Sequence, residues 1–300
     1  MIANKLNFGD TIGVICPASG EKDQNFIDIN LNRIKNLGFK IKEGKFLRYN
    51  SNNYLAAPDK ERAEDFMNMF LDPKVKAIIC YRGGYGSIRM LNYIKWDIIK
   101  HNPKIFCGYS DITLILNCLN IYTDLITFHS PMINSNFENK LTKTYFLNIL
   151  MNGLKDFSID LISLPNIKIF NEAQVKGKLC GGNLSIICSS LGTPYEINTK
   201  NKILFLEDVN EKDYSIDRML TQLLLSNKLK NCKAFIIGHF TPNNNNEVIL
   251  SLLKPLKKPI LMNFPAGHDY PNITLPIGAE IYLDFFKGKI KFCNDVVNIN

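Results

Sequence analysis

Residues 75–119 read VKAIICYRGGYGSIRMLNYIKWDIIKHNPKIFCGYSDITLILNCL, and the fold class follows from this stretch. Residues 75–80 form a short, nearly unbroken apolar run of β-branched and small side chains, the composition of a strand buried on both faces. Arg82-Gly83-Gly84-Tyr85-Gly86 breaks the run as a turn, and residues 87–94 read as a helix. The cycle then repeats. Residues 104–107 are a strand, Gly108-Tyr109-Ser110-Asp111 breaks it, and Ile112, Ile115, Leu116 and Leu119 recur at helical spacing. Strand, turn and helix in repetition specify an α/β fold, a mostly parallel sheet with helices on both faces.

The flanking sequence extends the pattern. Residues 11–16 are a strand, Pro17-Ala18-Ser19-Gly20 a turn, 25–37 an amphipathic helix and 39–41 a second strand. Residues 58–70 are helical, with Ala63, Phe66, Met67 and Phe70 on one face. Residues 1–151 are therefore expected as a Rossmann-like N-terminal domain. Periodicity weakens over 152–175, around Pro165, and that stretch is expected as a linker. Residues 176–300 read as a mixed α/β domain. It has strands at 203–206, 232–240 and 260–264, helices at 216–225 and 248–253, and a four-Asn loop at 243–246. Residues 281–286 and 289–292 form a closing hairpin across Lys287-Gly288.

Composition narrows the function. Of 300 residues, 46% are hydrophobic and 21% charged, which excludes global disorder. No apolar run approaches the ~18 residues of a membrane span, and the N-terminus lacks the apolar stretch of a signal peptide. The expectation is a soluble, cytoplasmic protein with no membrane partner. The net charge of +8 raises nucleic acid as a partner. Its distribution argues the other way. Arg occurs only at 33, 48, 62, 82, 89 and 218, Lys is scattered almost entirely singly, and no basic cluster with interleaved aromatics exists. The eight Cys contain no C-x-x-C pair, so zinc-ribbon and thioredoxin readings fail on spacing. They are expected as reduced core thiols, with no metal site.

In open parallel sheets, ligands bind outside the carboxyl ends of the strands. Residues 17–20, 81–86 and 108–111 occupy such positions. Gly83-Gly84-Tyr85-Gly86 is not G-x-G-x-x-G, and no G-x-x-x-x-G-K-[ST] is present. The glycine loop is either an anion cradle of backbone N–H groups or a plain turn. Ser110, on a sharp strand-to-helix turn, has the placement of an exposed nucleophile whose neighbouring N–H groups stabilise an oxyanion. Ser before Asp at a helix start is also an ordinary N-cap. A serine nucleophile needs a base and a carboxylate to orient it. His101 lies in a polar loop, whereas His129, His239 and His268 all stand at strand ends. Glu207 and Asp208 both follow the strand 203–206, so the choice of His and of carboxylate stays open.

Eight segments in order resemble one family. They are residues 9–18 (GDTIGVICPA), 81–86 (YRGGYG), 108–113 (GYSDIT), 129–132 (HSPM), 177–184 (GKLCGGNL), 206–209 (LEDV), 217–220 (DRML) and 267–268 (GH) with 275–278 (LPIG) behind it. Together they resemble the LD-carboxypeptidases, serine peptidases grouped with muramoyltetrapeptide carboxypeptidases and microcin C immunity peptidases. The resemblance implies Ser110 as nucleophile, Glu207 as orienting acid, His268 as base, and the backbone N–H groups of Gly84 and Asp111 as oxyanion donors. It also implies no cofactor and a homodimer. Arg82 and Gly83, beside the oxyanion turn, are candidate substrate contacts, Arg82 as a clamp for a free carboxylate or else as a structural ion-pair partner.

Two departures from the family are visible: His129-Ser130-Pro131-Met132 stands where His-Gly-Pro-Met is common, and the helix start varies after Thr113, which bears on packing rather than chemistry. The sole Trp is Trp96, whereas the resemblance gives immunity peptidases an inserted second-half loop with a Trp, so its absence and the compact length favour the cell-wall-recycling branch. The implied activity is a cytoplasmic carboxypeptidase that releases the terminal D-Ala of murein tetrapeptides, at a site spanning both halves. The alternatives are cleavage of a peptidyl-nucleotide and non-catalytic muropeptide binding.

Overall fold

Two sheets organise the chain in the computed structural model, which describes residues 1–51, 54–242 and 246–299. The first contains β1 (Thr11–Ile15), β2 (Lys40–Glu43), β3 (Val75–Cys80), β4 (Ile105–Gly108) and β5 (Thr127–His129). They run parallel in the order β2-β1-β3-β4-β5. Helices cover both faces, which explains why β3, β4 and β5 are almost wholly buried and lack an apolar–polar alternation. The helix Gln24–Asn36 turns Ile27, Leu31 and Ile34 inward, and the Asp23 carboxylate caps it by accepting from the Asn25 N–H at 2.9 Å. Only the edge strand β2 is charged and largely exposed, as suits an unpaired edge.

The second half contributes β6 (Ser158–Asp160), β7 (Lys168–Phe170), β8 (Gln174–Asn183), β9 (Ile203–Val209), β10 (Ala234–Thr241) and β11 (Ile260–Met262). After them come β12 (Leu275–Ile277), β13 (Glu280–Asp284) and β14 (Lys289–Phe292). All but β12 form one sheet in the order β6-β14-β13-β8-β9-β10-β11-β7. Its centre, β8 to β11, is parallel, and β13 with β14 forms the expected antiparallel hairpin. The stretch 152–175, expected as a linker, holds β6 and β7 at opposite edges of this sheet and is folded into it. Of the four-Asn run at 243–246, residues 243–245 lie outside the described residues, and Asn246 opens the helix Asn246–Leu253 rather than a loop.

The two halves interlock. β12 leaves its own half and pairs antiparallel with β5, Leu275 opposite His129. A continuous core runs from Val14 and Ile78 of the first sheet to Phe205 and Ile236 of the second. Asn117, on the helix Thr113–Thr123, donates to the Gly181 carbonyl at 2.9 Å and accepts from the Gly181 N–H at 3.1 Å. The Asn183 N–H donates to Thr113 Oγ1 at 3.0 Å. These bonds bring the C-terminal end of β8 against the helix that follows Ser110. All eight cysteines are unpaired, seven of them buried. Among the described residues, no helix is long and apolar enough to cross a membrane.

Candidate active site

Ser110 stands one residue beyond the end of β4, after Tyr109, and has φ of 64°, the left-handed region that a non-glycine residue rarely occupies. The chain then turns through residues 110–112 into the helix Thr113–Thr123. This is a strained strand-to-helix turn that presents a side chain at the sheet's crest. The N-cap positions are Tyr109 for the turn 110–112 and Ile112 for the helix, not Ser110. The N-cap reading therefore does not describe this serine.

The glycine turn after β3 is packed against it. A Cβ on Gly83 would stand 2.7 Å from Ser110 Cβ and 2.9 Å from its Oγ, so only glycine allows this approach. Gly84 follows with φ of 117° and is exposed. The neighbouring Asp111 is buried, and its carboxylate Oδ2 accepts from the Ser87 N–H at 2.8 Å while its carbonyl accepts from Ser87 Oγ at 2.8 Å. Burial pushes the Asp111 carboxyl up to about 6, against the pull of the Ser87 bonds. The nucleophile candidate and the glycine turn are thus tied together by a reciprocal pair.

Glu207 and Asp208 sit side by side on β9, both buried. Successive strand residues point to opposite faces, and the two carboxylates part accordingly. Asp208 accepts from Asn183 Nδ2 at 3.0 Å and from the Ser185 N–H at 2.9 Å, bracing the start of the helix Leu184–Ser189. Burial and the Glu207 charge push it up to about 6. Glu207 faces the other way, and its Oε2 accepts from His268 Nδ1 at 2.7 Å. Burial pushes the Glu207 carboxyl up, but the charge and hydrogen bond of His268 outweigh it, helped by His129 and Asn183. The net result lies below the usual carboxylate range. Burial pulls His268 down, yet Glu207 prevails and holds the imidazole above its ordinary value.

The loop carrying His268 is fixed from several sides. A Cβ on Gly267 would stand 2.6 Å from Glu207 Oε2, so a side chain there would displace the pair. The Gly267 N–H donates to Asn272 Oδ1 at 3.1 Å, and the Asn272 N–H to Thr142 Oγ1 of the first half at 2.8 Å. His239 belongs to this support: its N–H donates to the Ala266 carbonyl at 2.9 Å, and its Nε2 lies 2.9 Å from the Pro271 carbonyl. His129 is fully buried between Tyr109 and Phe205, and burial pushes it down to about 4. His101 is exposed, with Nδ1 2.7 Å from the Asp97 carbonyl.

The two halves meet through Tyr109, the residue before Ser110, whose ring stands edge-on to His268 with centroids 4.9 Å apart. The Asn136 N–H donates to Tyr270 Oη at 2.7 Å, closing the same seam one loop away. With Nδ1 engaged by Glu207, the neutral His268 ring carries its free lone pair on Nε2. A base in that state, a left-handed serine and a nearby turn of backbone N–H groups are the components of acyl transfer.

Arg82 is partly exposed. Its Nη1 lies 3.5 Å from Glu21 Oε2 and 3.4 Å from the Gly20 carbonyl, long contacts that leave most of the guanidinium's donors unmatched. Trp96 is stacked on Tyr122 with centroids 4.8 Å apart. Among the described residues, no cluster of three His, Cys, Asp or Glu could hold a metal ion. Arg62, which the sequence reading passed over, is buried behind the glycine turn and donates to the Gly86 carbonyl at 2.8 Å.

Comparison with known proteins follows the same seam. Residues 12–130 match the LD-carboxypeptidase N-terminal domain and residues 176–283 the LD-carboxypeptidase C-terminal domain. A Bacillus subtilis (strain 168) protein named "Probable murein peptide carboxypeptidase" is 39% identical, over 92% of this chain and 89% of its own. The solved muramoyltetrapeptide carboxypeptidase from Oxalobacter formigenes superposes with a TM-score of 0.82 at 29% identity, covering 93% of this chain and 97% of that one. The microcin C7 self-immunity protein MccF, solved with aspartyl sulfamoyl adenosine, superposes with a TM-score of 0.90 at 25% identity, covering 99% of this chain and 100% of that one. With both of its halves matched in order, the chain belongs to the LD-carboxypeptidase family and is a serine-type carboxypeptidase, a hydrolase.

Proposed function

We propose that this carboxypeptidase hydrolyses the amide to the terminal D-Ala of murein tetrapeptides, with Ser110 as nucleophile, His268 as base and Glu207 as its orienting acid. The observation that carries the reading is the buried Glu207–His268 pair at 2.7 Å, edge-on to the residue that precedes a serine at φ of 64°. His268 Nε2 takes the hydroxyl proton as Ser110 Oγ attacks the carbonyl carbon. The oxyanion is received by the N–H groups of Gly84 and Asp111. His268 then protonates the D-Ala nitrogen, the C–N bond breaks, and water activated by the same imidazole hydrolyses the acyl-enzyme. Arg82 is the candidate clamp for the substrate's terminal carboxylate, since its present partners are long and incomplete.

The murein substrate is supported by the names of the Bacillus subtilis and Oxalobacter formigenes relatives. Eight unpaired cysteines support a reducing cytoplasm, where recycled wall fragments are the accessible substrate. The family resemblance supports a homodimer. A second reading, cleavage of a peptidyl-nucleotide, is favoured by the TM-score of 0.90 to MccF. Incubation with a murein tetrapeptide, and separately with aspartyl sulfamoyl adenosine, distinguishes the two by mass spectrometry. Release of D-Ala supports the first; release of aspartate alone supports the second. Binding of the tetrapeptide without release of D-Ala would leave a non-catalytic muropeptide-binding protein.

A further inference from the structure

Behind the glycine turn lies a buried arginine that the reaction above does not use. Arg62 projects from the helix Asp59–Leu71, and its side chain has no solvent exposure. Its guanidinium is matched almost entirely by main-chain oxygens. Nε donates to the Ala57 carbonyl at 2.9 Å, and Nη1 donates to the Pro17 carbonyl and, at 2.8 Å, to the Gly86 carbonyl. Nη2 pairs with Asp59. Pro17 and Gly86 belong to the loops after β1 and β3, the two that flank the crest of the first sheet. A buried cation is costly unless its donors are matched, and here matching them joins these two loops.

The peptide that carries the Gly86 carbonyl is also held from its other side. The N–H of that same peptide unit, on Ser87, donates to Asp111 Oδ2 at 2.8 Å. One rigid peptide plane therefore lies between a cation on its oxygen and a carboxylate on its N–H, and both are charge-assisted bonds aligned with its dipole. Asp111 supplies one of the two backbone donors assigned to the oxyanion; the turn ending at Gly86 supplies the other.

We propose that Arg62 is a positioning residue for the oxyanion turn: through the Gly86–Ser87 peptide it locks the glycine turn to Asp111 and sets the spacing of the Gly84 and Asp111 N–H groups. This rests on the reading of Ser110 as nucleophile with those donors. The oxyanion exists only after attack, so a misplaced donor lowers kcat and leaves KM nearly unchanged. A purely structural arginine would instead lower the melting temperature and the number of active molecules, without changing turnover per active molecule.

The test compares wild type with Arg62→Gln and Arg62→Lys. Active sites are counted by labelling with a fluorophosphonate to completion, and D-Ala release from a murein tetrapeptide is measured per labelled site. Loss of one oxyanion donor typically costs on the order of 10²–10³ in rate, and a displaced donor should cost less. Arg62→Gln is expected to lose about 10–100-fold in kcat per labelled site, with KM within about threefold and an equal loss of affinity for a peptide boronic acid. Arg62→Lys keeps the charge but lacks the fork whose Nε and Nη2 hold Nη1 against the Pro17 and Gly86 carbonyls, and it is expected to lose about 3–10-fold. It also serves as the measurement if the Gln variant does not fold. Turnover per labelled site within about twofold of wild type in Arg62→Lys would overturn the inference alone. A wild type that neither labels nor releases D-Ala would overturn the serine reading, and this inference with it.

Discussion

His268 Nδ1 lies 2.7 Å from Oε2 of Glu207, a carboxylate with no solvent exposure. A buried carboxylate is stable as an anion only when matched, and the imidazole matches it. In return, the carboxylate fixes the ring's tautomer and stabilises its protonated form.

Replacing Glu207 with Gln keeps the volume but removes the charge and the preference for one tautomer. Turnover of the tetrapeptide is expected to fall about 10³–10⁴-fold with KM little changed, by analogy with the loss of the orienting acid in serine proteases. Steady-state kinetics of D-Ala release measures both. A loss below about tenfold would separate Glu207 from the chemistry.

The same pair sets the pH profile. Glu207 holds the His268 pKa above the ordinary histidine value despite burial. A general base must be neutral, so activity is lost as pH falls through the His268 pKa. The acid limb of kcat/KM is expected to have its midpoint above about 6.5 in the wild type, and to move to lower pH in the residual activity of Glu207→Gln. A wild-type midpoint at or below that value would remove His268 from the role.

Gly83 approaches Ser110 so closely that even a methyl group does not fit. Gly83→Ala should shift either the serine or the oxyanion turn and lower kcat on the order of 10²–10³-fold. Because the turn lies on the sheet's crest, the melting temperature should change little. Calorimetry beside the assay tells a local effect from unfolding.

Arg82 decides between two roles. If it holds the substrate's terminal carboxylate, Arg82→Ala raises KM for the tetrapeptide about tenfold or more and leaves kcat nearly constant, as the loss of a charge-assisted bond does. The tetrapeptide amide, which lacks the carboxylate, should then be cleaved equally poorly by both enzymes. If Arg82 only pairs with Glu21, 3.5 Å away, the pair stands apart from the substrate, its long, partly exposed contact is worth little, and neither constant moves.

The legible parts of this molecule are those in which local pattern and tertiary role coincide. β3 runs from Val75 to Cys80, as its apolar run specifies, because a strand buried on both faces needs no alternation to be recognised. The serine turn and glycine turn were visible as breaks at strand ends. The choice between Glu207 and Asp208 was not, because both are buried and alternation separates them only once the strand's faces are known. β12 was invisible because Leu275–Ile277 takes its identity from β5, far away in sequence. β6 and β7 are three-residue edge strands, too short for periodicity to register. Arg62, within Glu61-Arg62-Ala63-Glu64-Asp65, looks like part of a solvated helix face. Its partners are mainly backbone carbonyls, which leave no trace in a sequence.

The central claim is that Ser110 carries the hydrolysis. Its most direct test is D-Ala released from a murein tetrapeptide, followed by mass spectrometry for the wild type and for Ser110→Ala at matched folded protein. The account predicts multiple turnovers for the wild type and a rate at least about 10³-fold lower for the variant. Undiminished release by Ser110→Ala, or no release by the wild type, would contradict it.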